Sequence, residues 1–117
     1  MSKIETLKKN YEFKQVLTKG KSFSGKHIVL YVQKKKTDTN RIGIAVGKKV
    51  ANSVKRNRIR RVIREAYRLI PNKRNSFWLV IVWKKSADIK EANYQVVSCE
   101  LKQLLKKAQI IEEKKEL

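Results

Sequence analysis

Between Lys55 and Ile70 the apolar residues recur at helical spacing. Ile59, Val62, Ile63, Ala66, Tyr67 and Ile70 form one stripe. Asn57, Arg60, Arg61, Arg64 and Arg68 fall on the opposite side, and Arg56 and Arg58 flank the stripe in the first turn. Ala51-Asn52-Ser53 supplies capping groups, and Pro71 with Asn72 ends the run. This pattern predicts an amphipathic helix that buries one face and presents arginines on the other.

The other stretches read around it. Asn10 can cap a short helix over 11–19, with Phe13, Val16 and Leu17 on one face and Gly20 as its stop. Lys21–Lys26 is a loop or a strand lead-in. His27–Gln33 is β-branched and aromatic, hence a strand. Its Ile28, Leu30 and Val32 share one face, while His27, Val29, Tyr31 and Gln33 make a mixed, partly covered one. After a polar turn, Arg41–Gly47 follows within hairpin distance. It carries Ile42, Ile44 and Val46 toward the core and the small residues Gly43, Ala45 and Gly47 on its other face. Phe77–Trp83 is a continuous apolar run, read as a strand buried on both faces and reached by a β-α-β crossover. A last helix begins at Ser86 or Asp88, with Tyr94, Val97, Leu101, Leu104, Leu105 and Ala108 as its stripe. The predicted order is α-β-β-α-β-α, a single α+β sandwich over 1–117. Residues 1–9 read as a loose basic arm and 112–117 as a frayed tail.

Charge changes the picture most. Thirty Lys and Arg stand against 10 Asp and Glu, a net charge of +20 on 117 residues. Such an excess points to nucleic acid rather than to a neutral partner. No apolar run approaches the roughly 20 residues of a membrane span, and Met1–Glu5 leads into no apolar signal core. The cytoplasm is the expected compartment. One cysteine, Cys99, excludes an intrachain disulfide and a cysteine metal cage. His27 is the sole histidine and reads as a partly exposed strand residue.

Arginines at three- and four-residue steps repel one another. A purely solvating face would mix signs, yet Glu65 is the only acid between Lys48 and Arg74. The planar guanidinium fork suits phosphate oxygens, so a polyanion is the natural partner. The acids form no catalytic pair, and there is no HExxH, no CxxC and no P-loop. On residues alone the chain is a nucleic-acid-binding module with no chemistry of its own. A ribosome-associated RNA-binding protein shares this charge and fold class. A protein-only nuclease lacks the acid cluster it would need.

The string Gly47-Lys48-Lys49-Val50-Ala51-Asn52-Ser53-Val54-Lys55-Arg56-Asn57-Arg58, followed by Arg61, Arg64-Glu65 and Arg68, resembles the signature of the bacterial ribonuclease P protein subunit. The resemblance runs from Leu7-Lys8-Lys9 and Glu12-Phe13 through Val29-Leu30-Tyr31 and Arg41-Ile42-Gly43 to the last helix. It implies a sandwich related to a ribosomal-protein domain, with a left-handed crossover against the usual hand. It also implies a subunit that binds a catalytic RNA and the 5′ leader of precursor tRNA. The RNA would carry the Mg²⁺-dependent active site, and the protein would bind no cofactor and need no obligate protein partner. Arg56, Asn57, Arg58, Arg60, Arg61, Arg64 and Arg68 would face the RNA subunit. Phe13, Leu17, Tyr31, Lys48 and Lys49 would line a leader cleft, Leu17 standing where an aromatic or bulky apolar residue is usual.

Overall fold

A computed structural model describes residues 5–111. The apolar run Phe77–Trp83, strand β5, occupies the middle of a five-stranded sheet. Strand β3 (Ile28–Lys34) pairs antiparallel on one side of it, and β4 (Arg41–Ala45) pairs parallel on the other. The short strands β1 (Glu5–Thr6) and β2 (Lys21–Ser24) close the edges, giving the order β1-β4-β5-β3-β2. β3 and β4 lie within hairpin distance in sequence but are not neighbours. β5 inserts between them because its residues need cover on both faces and both edges.

Helix α2 (Ser53–Leu69) is the crossover between β4 and β5. It packs with α3 (Tyr94–Lys107) over one sheet face. There Ile59, Ile63, Ala66 and Tyr67 of α2 meet Ile42, Leu79 and Ile81 of the sheet, and Val97, Leu101, Leu104 and Leu105 of α3 join the same core. Among the described residues only α1 (Asn10–Lys19) covers the other face. Its core is small: Leu7, Val16 and Val80, flanked by Phe13, Tyr31, Trp78 and Val82. That imbalance leaves part of the second face open.

The six larger elements follow the expected order. Residues 5–9 do not form a loose arm: Glu5–Thr6 pairs with Arg41–Ile42, and Leu7 is buried. The preceding four residues and the tail over 112–117 lie outside the described residues. Lys21–Ser24 is a full edge strand on β3. Gly20 does stop α1, but with φ −77°, so its reason is space. A Cβ there would sit 2.5 Å from the Val16 carbonyl and 2.8 Å from that of Val32.

α3 begins later than expected. Asp88 caps a 3₁₀ turn over Ile89–Glu91, and Asn93 caps α3 by accepting from the Val96 N–H. Tyr94 consequently stands 44 % exposed at the helix start and is not part of the buried stripe.

His27 is buried, contrary to the expectation of a partly exposed residue. Its Nε2 lies 2.8 Å from Glu91 Oε2 and its Nδ1 3.0 Å from Glu100 Oε1. Its backbone N–H also donates to Glu100, and its ring stacks on Trp83 at 5.5 Å. The histidine thus ties the start of β3 to the 3₁₀ turn and to α3. Both acids lie more than 60 residues away in sequence, out of reach of any local pattern.

Candidate nucleic-acid interface

α2 owes its orientation to its two ends and its buried stripe. Asn52 accepts from the Lys55 N–H at 2.9 Å and satisfies one free donor of the first turn. At the other end Lys73 Nζ donates to the carbonyls of Tyr67 and Ile70. Burial holds the Lys73 amine below its ordinary range and pushes the Tyr67 hydroxyl up to about 12. Between the ends Ile59, Ile63, Ala66 and Tyr67 are buried, and Val62 is partly covered. The helix cannot roll without exposing this stripe, so the direction of its polar face is set.

That face carries Asn57, Arg58, Arg61, Arg64 and Arg68 in the open, with Arg56 and Arg60 partly covered. Arg60 donates to Asn57 Oδ1 at 2.9 Å, and Arg68 donates to both oxygens of Glu65. The Arg68 bond draws the Glu65 carboxyl below its ordinary value. Arg68 is therefore already neutralised, a distinction that the sequence pattern does not make. Arg58, Arg61 and Arg64 have no carboxylate partner among the described residues. Arg56 Nε is buried without a hydrogen-bond partner there.

The open part of the sheet is a second basic feature. Val29 and Val82 stand opposite each other on neighbouring strands, and Tyr31 opposes Val80. Val29 and Val82 floor a recess of about 680 Å³ that Gly47, Lys84 and Lys85 help to wall. Lys48 and Lys49 sit exposed in the turn after β4. Tyr31 is half-buried beside α1, and Leu17 on that helix is 40 % exposed.

Phe13 is placed differently. Its ring lies on Gly43, where any side chain would overlap it, and it lines a smaller recess with Arg60, Arg61 and Arg64. Of the five expected cleft residues, Phe13 borders this smaller recess.

Lys84 and Lys85 line the recess over Val29 and Val82, although the apolar pattern of the sequence does not single them out. A signal existed: Lys-Lys doublets follow both the Arg41–Gly47 and the Phe77–Trp83 stretches. Because β4 and β5 are parallel, their doublets come to the same end of the sheet. α1 is anchored by Glu12, whose carboxylate accepts from the Lys8 and Lys9 N–H groups at 2.9 Å each. These bonds, with Arg41 at 3.3 Å, hold the Glu12 carboxyl below its ordinary value.

Among the described residues no group of three or more His, Cys, Asp or Glu is arranged to hold a metal ion, and no helix is long and apolar enough to cross a membrane. The family model for ribonuclease P matches residues 1–109. A ribonuclease P protein component from Natranaerobius thermophilus is 43 % identical over 113 residues, covering 96 % of each chain. One from Lachnoclostridium phytofermentans is 47 % identical over 107 residues, covering 92 % of this chain and 91 % of its own. The ribonuclease P protein of Staphylococcus aureus superposes with a TM-score of 0.77 at 28 % identity, over 94 % of this chain and 100 % of its own. That of Thermotoga maritima gives 0.78 at 27 %, over 88 % and 96 %. An arginine face on a pinned helix, the expected sandwich and matches along nearly the whole length converge: the chain belongs to the ribonuclease P protein-component family.

Proposed function

We propose that this chain is the RNA-binding subunit of a ribonucleoprotein that removes the 5′ leader of precursor tRNA. One observation carries the reading: arginines without acid partners face outward from a helix whose other face is locked in the core. Arg58, Arg61 and Arg64 take phosphates of the catalytic RNA, with Asn57 and Arg60 beside them and Arg56 and Arg68 at the flanks. The leader runs over the open sheet, where Tyr31 offers a ring to a base and Lys48, Lys49, Lys84 and Lys85 draw in the backbone. Leu17 and Phe13 bound that path along α1. Hydrolysis belongs to the RNA and its Mg²⁺ ions, in the cytoplasm. The chain's own part is charge neutralisation and positioning.

Reconstitution tests this. The purified chain alone is expected to leave precursor tRNA intact. With the RNA subunit it accelerates 5′ maturation, most at limiting Mg²⁺, where neutralising phosphates matters most. Site-specific cleavage by the chain after nuclease treatment, with no RNA present, would overturn the assignment of chemistry to the RNA.

A further inference from the structure

Strand β4 outlasts its outer neighbour. β1 pairs only with Arg41 and Ile42, so among the described residues no strand lies on that side of Gly43–Ala45. The Ile42 carbonyl accepts from the Leu7 N–H at 2.9 Å. Strand alternation then turns the N–H and C=O of Ile44, two residues on, toward the same open side. Open edges recruit other strands and are usually blunted by charge or cover. Here α2 sets Arg60, Arg61 and Arg64 beside the edge.

Between edge and arginines lies a recess of about 200 Å³. Leu7, Phe13 and Ile44 give it apolar walls, and Arg60, Arg61 and Arg64 line it as well. Typical small-molecule sites run to roughly 300–1,000 Å³, so this one has room for a single planar ring system. A peptide strand would need a longer open ladder than one residue's N–H and C=O. The features suit one ligand class: a flat ring with a hydrogen-bonding edge and a phosphate attached.

We propose that this recess takes one nucleotide turned out of an RNA strand. The base lies against Phe13 and Ile44, its edge bonds to the Ile44 peptide group, and its phosphate sits on Arg61 and Arg64. The site rests on the RNA-subunit reading and adds a base pocket to what is otherwise a phosphate-binding face.

Titrating nucleoside 5′-monophosphates into the full chain, followed by amide NMR, tests it. Saturable shifts of the Ile44 and Gly43 amides are expected, beyond any that inorganic phosphate produces. Excess RNA subunit should reverse them, because the RNA supplies the same group. Thr6 lines the recess, so Thr6→Trp fills it while keeping every arginine, and should weaken nucleotide binding at least tenfold while phosphate binding persists. Equal shifts from inorganic phosphate would overturn the base pocket. Nucleotide that stays bound under saturating RNA subunit would overturn an RNA base as the occupant. The wild-type titration decides even where Thr6→Trp does not fold. A chain that binds the RNA subunit but shows no nucleotide response at Ile44 refutes this site alone. A chain that binds no RNA subunit refutes the subunit reading as well.

Discussion

The arginine face of α2 and the open sheet beside α1 are both basic, but they are built differently. On α2 the charged and structural residues are separate: Ile59 and Ile63 are buried and Arg61 and Arg64 are exposed on the same helix. Beside α1 the two roles merge. Tyr31 packs on the small cluster of Leu7, Val16 and Val80, and the proposed leader path asks the same ring to meet a base. A helix has enough faces to divide labour; one side of a half-covered sheet does not. Changes to the arginine face should therefore act on binding alone, whereas changes in the groove should mix binding with folding.

Ile63→Ala would break the comparison most strongly. The side chain is fully buried under α2, and its truncation should cost about 2–5 kcal/mol of stability. Urea denaturation measures this. A loss under 1 kcal/mol would mean the stripe does not hold the helix.

Arg61→Ala and Arg64→Ala are the complementary changes. Each should weaken binding to the RNA subunit by about 1.5–3 kcal/mol, the worth of one charged hydrogen bond. Each should also flatten the log–log salt dependence by about 0.7–0.9. Stability should stay within about 0.5 kcal/mol. Filter binding across salt, beside a melt of each variant, tells the two apart.

Tyr31→Ala should lower affinity for leader-bearing precursor tRNA by about 1–3 kcal/mol and spare mature tRNA. Because Tyr31 is also packing, a modest drop in melting temperature should accompany it. Equal loss for both RNAs would remove Tyr31 from the leader path.

Acid should act most gently, through Glu12. Its carboxyl is held below the ordinary value in the folded chain, so it contributes stability above that value. The contribution is lost as pH falls through the lowered folded pKa. Melting temperature should decline below about pH 4.5, the unshifted value, and Glu12→Gln should reduce that slope. An unchanged slope would mean that Glu12 does not anchor α1.

Much of this molecule was legible before folding. The α2 stripe, its Asn52 cap, the doubly buried Phe77–Trp83 run and the charge excess are local properties. Periodicity and side-chain chemistry reveal them because neighbours along the chain decide them. Resemblance supplied the RNA partner for the same reason, through a contiguous string.

What the sequence left open depends on residues far apart. Whether His27 is exposed was decided by Glu91 and Glu100 arriving from beyond the last strand. The insertion of β5 between β3 and β4 brought two lysine doublets to one end of the sheet. It also left β4, short of cover past Ile42, facing the arginines of α2. Alternation within a strand shows which residues share a face, but not which strand lies alongside. That choice is made by packing the most apolar strand at the centre, and with it the sites at the edges are placed.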